Sequence, residues 1–472
     1  MMKNKTYILT LSGLLLAGGL SAQTLSEAQK MFLNGEFAQA KPVFQRLVKQ
    51  SPSNANYNFW YGACCYETGE LQESIPYLEK SAARKVINAY LYLGKAYYDT
   101  YRFDEAVDNL EEHISWLEKK KRDTAEAEEL LEKFRIGSRM FRGVEKVAVI
   151  DSFVVDKTDF LQAYKLSPQA GEIKFTGEGT CTSFTNEMGD KMLLAKENEE
   201  GQTQLYAQSM LIDHWGDPER LNSLNETGTN LNYPFVDSDG ITVYYAAQGG
   251  DNLGGYDIFV TRYDSEDNTY LRPDNIGMPF NSPYNDYMYA IDDFNNLGWF
   301  ASDRFQPEGK VCIYVFAPND SKEVYDYDLT GEEQLATYAS LKNIQATWGN
   351  ADKVRLAKQQ LAKAMYQQQH EQKAKGDFTF IINDGITYHV LDDFQSKEAR
   401  KLYQELSQKQ KDLEAMKRSL NEQRDTYASA QKSRKDSMTP AILDQEKRIQ
   451  ELYKEIEKLT FEVRNTELKA RS

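Results

Sequence analysis

The chain has 472 residues, of which 27% are charged, and its 56 Lys and Arg against 72 Asp and Glu give a formal net charge of -16. This length exceeds what one hydrophobic core usually serves, so about two to four domains are expected. An acidic surface repels phosphate backbones and no basic cluster offsets it, which excludes nucleic acid as an expected partner.

Residues 1–22 have the pattern of a secretory signal peptide. Lysines precede an apolar run from Tyr7 to Leu16, which is too short for a membrane span, and small residues lead to a cleavage position after Ala22. Gln23 stands where a bacterial lipoprotein has cysteine, so no lipid anchor is expected. No later window predicts a transmembrane segment. We therefore predict a periplasmic protein of a Gram-negative cell, with secretion as the alternative.

Residues 24–142 are predicted to form helical repeats closed by a capping helix. The small residues Ala28, Gly62 and Gly94 recur at spacings of 34 and 32 residues, and each is followed by an aromatic residue or leucine past a turn. These positions resemble the tetratricopeptide repeat, whose helical pairs bury their apolar faces by stacking. The last helix, from Thr124 to about Met140, is expected to cover the open end of the stack.

The resemblance implies a shallow groove that docks extended peptides or partner helices. The candidate contact residues in these repeats are Tyr57, Tyr61, Tyr90 and Tyr97. An alternative of equal weight is that the three repeats only brace the domain that follows.

A β-rich region is predicted over residues 144–329. Its clearest part runs from Val236 to Tyr263, where an Asp-Ser-Asp-Gly turn, a β-rich run, a glycine-heavy reversal and a second β-rich run predict two antiparallel strands. Weaker copies flank it, and Tyr206, Phe259 and Tyr314 occupy equivalent positions 53 and 55 residues apart. The region is therefore expected to consist of repeated small sheets.

These sheets resemble PD40 or TolB-like blades, relatives of the WD40 blade, with the closest matches at Ala301 to Arg304 and Gly255 to Phe259. The resemblance implies a β-propeller, in which Tyr256 and Arg304 are candidate interaction residues. Three copies are clear, whereas a closed ring needs at least about four. Either residues 144–174 and a later segment complete the ring, or the ring is small or open. The helical segment and β-hairpin of residues 330–396 are the candidate for closing it.

No metal or cofactor site is predicted. Asp237 and Asp239 begin like a calcium loop, but the later ligands are missing, so these side chains are expected to cap their own turn. Whether Cys181 and Cys312 form a disulfide stays open on the sequence alone.

Residues 397–472 are predicted to form a long helical hairpin or coiled coil. The two helices, Lys397 to Lys435 and Ala441 to Lys469, are separated by Asp-Ser-Met-Thr-Pro, with Pro440 in the first turn of the second. Either the helices satisfy each other, or the first helix, about ten residues longer, leaves an apolar stripe for a partner or a second copy. The seam residues of the second helix are Ile449, Leu452, Ile456 and Leu459.

The sequence carries no recognisable catalytic motif. Its 4 His residues are scattered, and the HExxH, GxSxG, P-loop and dinucleotide-binding patterns do not occur. We therefore predict a protein without enzymatic activity. A propeller glycosidase is the least favoured alternative, because that chemistry needs only two carboxylates at the right distance.

The predicted fold class is multidomain α + β, with a tetratricopeptide solenoid, a PD40-like propeller that is small or incomplete, and a C-terminal helical hairpin or coiled coil. This layout resembles Bacteroidetes envelope proteins, including adaptors associated with type IX secretion, whose OmpA-like domain is replaced here by the helical hairpin. The resemblance implies a periplasmic scaffold that joins envelope proteins, peripheral to an outer-membrane or secretion assembly. A glycan- or peptide-binding propeller is the alternative.

Overall fold

The computed structural model describes residues 24–177, 180–211, 214–374, 378, 380–383, 386–429 and 432–471. The predicted signal peptide lies outside these residues. The chain divides into two compact units, Met1–Ala364 and Met365–Ser472. Within the described ranges, no helix combines the length and the apolar character that crossing a membrane requires.

The first six helices of the first unit form three antiparallel pairs that stack on one another, as the repeat pattern predicts, and a seventh helix follows them. They are α1 (Leu25–Leu33), α2 (Phe37–Gln50), α3 (Ala55–Glu67), α4 (Leu71–Ala82), α5 (Ile87–Asp99), α6 (Phe103–Lys119) and α7 (Ala125–Phe141). The start of α3 is fixed by Asn54, whose side-chain oxygen accepts hydrogen bonds from the backbone N–H groups of Asn56 (3.0 Å) and Tyr57 (3.1 Å).

Small residues stand where these helices touch. A Cβ atom at Gly62 would lie 2.9 Å from Cγ of Leu78, and one at Gly94 would lie 3.2 Å from the carbonyl oxygen of Ala106. The predicted capping helix α7 covers the last pair, since Phe134 stacks on Tyr98 with ring centroids 4.5 Å apart. The periodic positions of the sequence therefore correspond to the packing core of a helical solenoid.

The central region of the first unit is built of antiparallel strands. They are β1 (Ala148–Asp156), β2 (Glu172–Phe175), β3 (Thr182–Thr185), β4 (Lys191–Glu197), β5 (Thr203–Ser209), β6 (Glu219–Arg220), β7 (Thr229–Val236), β8 (Thr242–Gln248), β9 (Tyr256–Asp264), β10 (Thr269–Tyr270), β11 (Asp274–Asn275), β12 (Asp286–Asp292), β13 (Leu297–Ser302) and β14 (Lys310–Ala317). The predicted pair of strands at 236–263 is present as β8 and β9, with Tyr245 opposite Phe259.

The described strands of this region form three sheets in a propeller-like module. The first has the order β2-β3-β4-β5-β6, the second β7-β8-β9-β10 with β11 on β9, and the third β12-β13-β14-β1. Residues 144–174 thus supply β1 to the last sheet and β2 to the first, and they add no sheet of their own. β1, the first strand in the sequence, therefore completes the last sheet by pairing with β14.

Helices α8 (Asn222–Asn225), α9 (Tyr327–Thr330), α10 (Glu332–Ser340) and α11 (Ala351–Ala374) connect or cover the sheets. One face of the third sheet, including the fully buried Trp299, packs with Val354, Ala357 and Leu361 of α11. The other face carries Phe300, which belongs to a separate buried cluster. The alternation of Trp299 and Phe300 places consecutive side chains on opposite faces, as a two-sided buried strand requires.

The second unit contains a hairpin of β15 (Phe380–Asn383) and β16 (Ile386–Tyr388) and two long helices, α12 (Lys397–Ser429) and α13 (Lys432–Arg471). The hairpin packs on these helices through Phe380, Tyr388, Tyr403 and Val463. The prediction that it closes the propeller is therefore wrong. Its predicted turn at Asp384 and Gly385 lies outside the described residues.

The two long helices pack against each other. Leu413 and Leu420 of α12 share a buried cluster with Ile442 and Ile449 of α13. The predicted break is misplaced, because α13 already begins at Lys432 and contains Pro440. The first helix has 33 residues and the second 40, so the expected surplus of the first helix is also wrong.

Candidate docking groove

The loop between β8 and β9, residues 249–255, reaches the helical repeats. Leu253 is fully buried among repeat side chains, and its carbonyl oxygen accepts a hydrogen bond from the Tyr98 hydroxyl (2.8 Å). The Lys133 amine donates to the Gly254 carbonyl (3.3 Å). The Asp257 carboxylate accepts from the backbone N–H groups of Leu253 (2.7 Å) and Gly254 (3.1 Å) and so holds the loop in shape.

The glycine-heavy composition of this loop has a steric cause. A Cβ atom at Gly254 would lie 1.5 Å from the carbonyl oxygen of Tyr284, and one at Gly255 would lie 2.2 Å from Oδ1 of Asn285. Two loops of the sheet region therefore meet without room for side chains, and this packing presents the Leu253 backbone to α5 and α7.

A groove of about 720 Å³ remains open beside the loop, between α5, α6 and α7. Half-buried Leu91, Leu117 and Leu130 line it, and Gly249, Gly250 and Asn252 of the loop contribute to its wall. We call this cavity the repeat groove. Here the helical repeats meet the sheet region, and apolar side chains remain accessible between them.

The repeat groove is acidic at its rim. Exposed carboxylates surround it, whereas its cations are the half-buried Lys95 and Lys133. Burial lowers the pKa of Lys133, with Asp257 and Asp99 acting in the opposite direction. The acidic residues that line the groove are Asp123, Glu126, Glu129 and Glu132. Such a rim favours a positively charged segment over an acidic one.

Two titratable groups lie at the groove, the half-buried Asp99 near Lys133 and the buried His113 in the lining itself. Burial raises the pKa of Asp99 to about 6, and its carboxylate accepts a hydrogen bond from Tyr66 (2.8 Å). Burial lowers the pKa of His113, whose Nδ1 lies 3.0 Å from the Ile87 carbonyl oxygen. His113 is therefore neutral at pH 7 and adds no positive charge to the groove.

None of the four tyrosines predicted as contact residues lines the repeat groove. Tyr61 is only 2% exposed and donates to Glu73, while the buried Tyr97 donates to Glu79 (2.7 Å). These two were misassigned, because their hydroxyl groups already bond within the repeats. Tyr57 and Tyr90 are half-buried.

The residues that do line the groove lie close in sequence to the predicted tyrosines but on a different face of the helix. On α5 they are Leu91 and Lys95, one residue past Tyr90 and two residues before Tyr97. The sequence analysis singled out the tyrosines as contact residues and did not consider the aliphatic residues between them. Only the position of α7 and of the sheet loop shows which face of α5 stays open.

The prediction that Arg304 is an interaction residue is also wrong, since its side chain is fully buried and unavailable to a partner. Its guanidinium pairs with Asp286 (2.6 Å) and donates to the carbonyl groups of Pro279 and Phe280 (2.7 Å each). Tyr256 is half-buried and packs near Tyr287 with ring centroids 5.9 Å apart. Both residues hold the sheet module together.

The seam residues of α13 face α12 within the chain. Ile449 and Leu459 are buried, and Leu452 and Ile456 are half-buried in the same clusters. The intrachain alternative therefore describes this helical hairpin, and its seam does not offer a free surface.

The turns and cysteines fit the simpler of their sequence interpretations. Asp239 accepts hydrogen bonds from the backbone N–H groups of Ile241 (2.9 Å) and Thr242 (2.8 Å), which is an Asx turn. All four cysteines are free, so Cys181 and Cys312 do not pair.

One cluster of possible metal ligands occurs within the described residues, formed by Cys65, Glu70 and Glu73. Burial raises the pKa of the Cys65 thiol to about 11. Lys41 pairs with Glu70 (2.6 Å) and Tyr61 donates to Glu73. Because the thiol stays protonated and both carboxylates have partners, the cluster is better explained as a polar network of the repeats.

A tetratricopeptide repeat family model matches residues 33–86, which include α2, α3 and α4. No curated protein matches the chain significantly. The matched segment and the stacked helical pairs together identify a tetratricopeptide module at the start of the first unit. Repeats of this kind indicate a protein–protein interaction module.

Proposed function

We propose that the protein is a non-enzymatic adaptor that binds partner proteins in the periplasm of a Gram-negative, Bacteroidetes-like cell, at an outer-membrane or secretion assembly. The signal-peptide pattern of residues 1–22 supports export. The succession of tetratricopeptide repeats and PD40-like sheets supports the envelope setting through its resemblance to adaptor proteins. The repeats are the part that supports binding of a protein.

The observation that carries this proposal is that the repeat groove is open, whereas the Leu253 loop covers the neighbouring part of the same helical surface. The Leu253 loop shows what that surface binds, because the Leu253 side chain is buried among the repeats and the Leu253 and Gly254 carbonyl groups accept hydrogen bonds from Tyr98 and Lys133. A partner segment alongside the loop meets the apolar side chains and the acidic rim of the repeat groove. It would be extended, place an apolar side chain on Leu91 and Leu130, and bring basic residues to the acidic rim.

The two parts of this contact differ in energy. Burying one leucine-sized side chain contributes about 1.5–3 kcal/mol, whereas each exposed ion pair at the rim contributes about 0.2–1 kcal/mol. The apolar floor therefore decides affinity. The rim sets the choice of partner and the rate of association.

The test is an in-cell cross-linking pull-down of the full chain and its charge-reversed variant, Glu126→Lys with Glu129→Lys. Both side chains are exposed, so the fold is expected to persist. The matched control is Glu199→Lys with Glu200→Lys, an equal charge change in the exposed turn between β4 and β5. We expect discrete envelope proteins with the wild type and the control, and their loss with the groove variant.

A second variant, Leu130→Ser, separates the apolar floor from the rim. Loss of the same partners with this variant supports the groove as the binding site. Recovery of the same partners with both groove variants would contradict the proposal. Mass spectrometry of the protein purified from the periplasm tests its location, since processing after Ala22 predicts a mature chain that starts at Gln23.

A further inference from the structure

The sheet module has two ends, and the helical repeats occupy one of them. In an antiparallel sheet successive connections alternate between ends. The loops 249–255 and 303–309 follow the second strand of their sheets, and they approach the repeats at Leu253 and through Phe305, whose ring lies 6.5 Å from that of Tyr101. The turns β7–β8 and β12–β13, which come one strand before these loops, therefore lie at the end away from the repeats. The β3–β4 turn lies there too, because Asn186 and Lys191 line the same cleft as Gly240 of the β7–β8 turn.

Four turns of the described residues lie at that opposite end, which we call the turn end. They are residues 186–190 between β3 and β4, 237–241 between β7 and β8, 265–268 between β9 and β10, and 293–296 between β12 and β13. A hydrogen bond joins turns of two different sheets, since the Ser238 hydroxyl donates to Asp293. Within the second sheet, the backbone N–H of Tyr263 in β9 donates to the Ile241 carbonyl at the end of the β7–β8 turn (2.8 Å).

Large apolar side chains are exposed at the turn end. Met188 is 81% exposed, Phe294 63% and Ile241 41%. Leu211, beside the β3–β4 turn through the hydrogen bond from Met210 to Asp190, is 52% exposed. Single exposed apolar residues are common on proteins, but their collection in turns at one end of a module indicates a contact surface.

A cleft of about 630 Å³ opens between the first and second sheets at this same end. Asn186 and Gly240, from two neighbouring turns, form part of its lining. Apolar and aromatic residues line it, among them Phe184, Val243 and Tyr270, together with polar and charged residues such as Glu219 and Arg220. It therefore offers a partly open site for an apolar or aromatic side chain with polar groups beside it.

The charges around the turn end are mostly negative. Its main cations are Lys191 and Arg220, which line the cleft together with Glu219, and Arg262, which pairs with Asp239 (3.7 Å). Burial raises the pKa of Asp237, and the neighbouring carboxylates act in the same direction. The acidic residues in or beside the turns are Glu187, Asp190, Asp237, Asp239, Asp264, Glu266, Asp267 and Asp293. This charge repels anionic lipids and nucleic acids and attracts a basic polypeptide.

We propose that the turn end is a second protein-docking surface, which takes a basic segment of a partner protein and holds one of its apolar or aromatic side chains in the cleft between the first two sheets. This inference stands on the sheet module alone and is independent of the repeat groove. A protein with both surfaces can hold two partners at opposite ends of its sheets.

The test selects binders from a library of random short peptides with the purified full chain, and then measures the affinity of the enriched peptides by fluorescence anisotropy. We expect peptides with net positive charge and an apolar or aromatic residue. Two turn-end variants, Met188→Ser with Phe294→Ser and Glu266→Lys with Asp267→Lys, are each expected to weaken binding by about tenfold. The exposed Leu329→Ser is the control and is expected to leave binding unchanged.

The groove variant Glu126→Lys with Glu129→Lys distinguishes the two proposals. Peptides that lose affinity with the turn-end variants and keep it with the groove variant support a second surface. The inference is overturned if no basic peptide is enriched, or if the enriched peptides respond only to the groove variant. The second result would leave the proposed function of the repeat groove intact.

Discussion

The third sheet of the first unit and the base of the helical hairpin in the second unit each bury a carboxylate completely, but they compensate its charge in different ways. Asp286 has a guanidinium partner, Arg304, at 2.6 Å. Glu467 accepts hydrogen bonds from the Tyr388 hydroxyl (2.6 Å) and from the backbone N–H groups of Gln395 (2.8 Å) and Ser396 (3.1 Å), just before α12 begins.

The difference shows two ways of fixing irregular backbone. Arg304 donates hydrogen bonds to the carbonyl groups of Pro279 and Phe280. Asp286 accepts hydrogen bonds from the backbone N–H and the hydroxyl of Ser282 in the same loop. Glu467 accepts hydrogen bonds from backbone N–H groups at the N-terminus of α12, which is the positive end of the helix dipole. In the first arrangement an opposite charge is in direct contact with the carboxylate, whereas in the second a hydroxyl and backbone N–H groups are the close partners and the Arg471 guanidinium lies farther away, at 3.8 Å.

Arg304→Ala is expected to have the largest effect. It leaves Asp286 as an unpaired buried charge, which costs about 3–5 kcal/mol in the free energy of unfolding. Urea unfolding followed by hydrogen–deuterium exchange of each unit measures this, and only the first unit is expected to lose stability. The control Arg262→Ala removes an exposed pair and is expected to cost less than about 1 kcal/mol.

A double-mutant cycle with Asp286→Asn sharpens this result. The two single variants are expected to cost more in sum than the double variant, because each single change leaves one charged partner buried. Additive effects of the two substitutions would contradict the pairing of Arg304 with Asp286.

Glu467→Ala is expected to have the second largest effect and to act on the other unit. It leaves two backbone N–H groups and the Tyr388 hydroxyl without their acceptor, which costs about 2–3 kcal/mol. Glu467→Gln keeps one acceptor oxygen and is expected to lose less. The same exchange experiment should show faster exchange in α12 and the hairpin, while the sheets of the first unit stay protected. Equal destabilisation of both units would refute this assignment.

These two carboxylates also mark what sequence reasoning could and could not find. The spacing of Ala28, Gly62 and Gly94 predicted the helical repeats, because helix contacts recur at short range along the chain. The turn at Asp239 was predicted for the same reason. In contrast, Glu467 looks like any surface glutamate on a heptad helix, and its role appears only when the chain returns to Ser396.

Long-range pairing explains the remaining errors. β1 pairs with β14, with Val154 opposite Cys312, and no local pattern encodes that register. The 378–390 hairpin has the local signature of any β-hairpin, so its sequence could not say whether it joins the sheets or packs on helices. In the repeat groove, the sequence identified the module but not the open face of α5, since that face depends on where the Leu253 loop docks.

Asp99 is half-buried, unlike the two fully buried carboxylates, and is expected to have the smallest effect. It has a single hydroxyl donor, Tyr66, and burial raises its pKa from 3.8 to about 6. The folded state therefore binds more protons than the unfolded state between these two pH values. Stability contributed by this group is present at low pH, falls as the pH rises through about 6, and is constant above that.

The difference in melting temperature between pH 5 and pH 8 measures this contribution. The full shift corresponds to at most about 3 kcal/mol, of which the interval from pH 5 to pH 8 covers about half, and partial exposure of the site to water reduces the expected value to about 1 kcal/mol or less. Asp99→Asn retains an acceptor for Tyr66 but cannot titrate, so it should lose part of the pH dependence, whereas the exposed Asp108→Asn should keep it all. If Asp99→Asn and the wild type respond equally to pH, burial does not raise the pKa of Asp99 in the folded protein, and the Tyr66 hydroxyl compensates its charge.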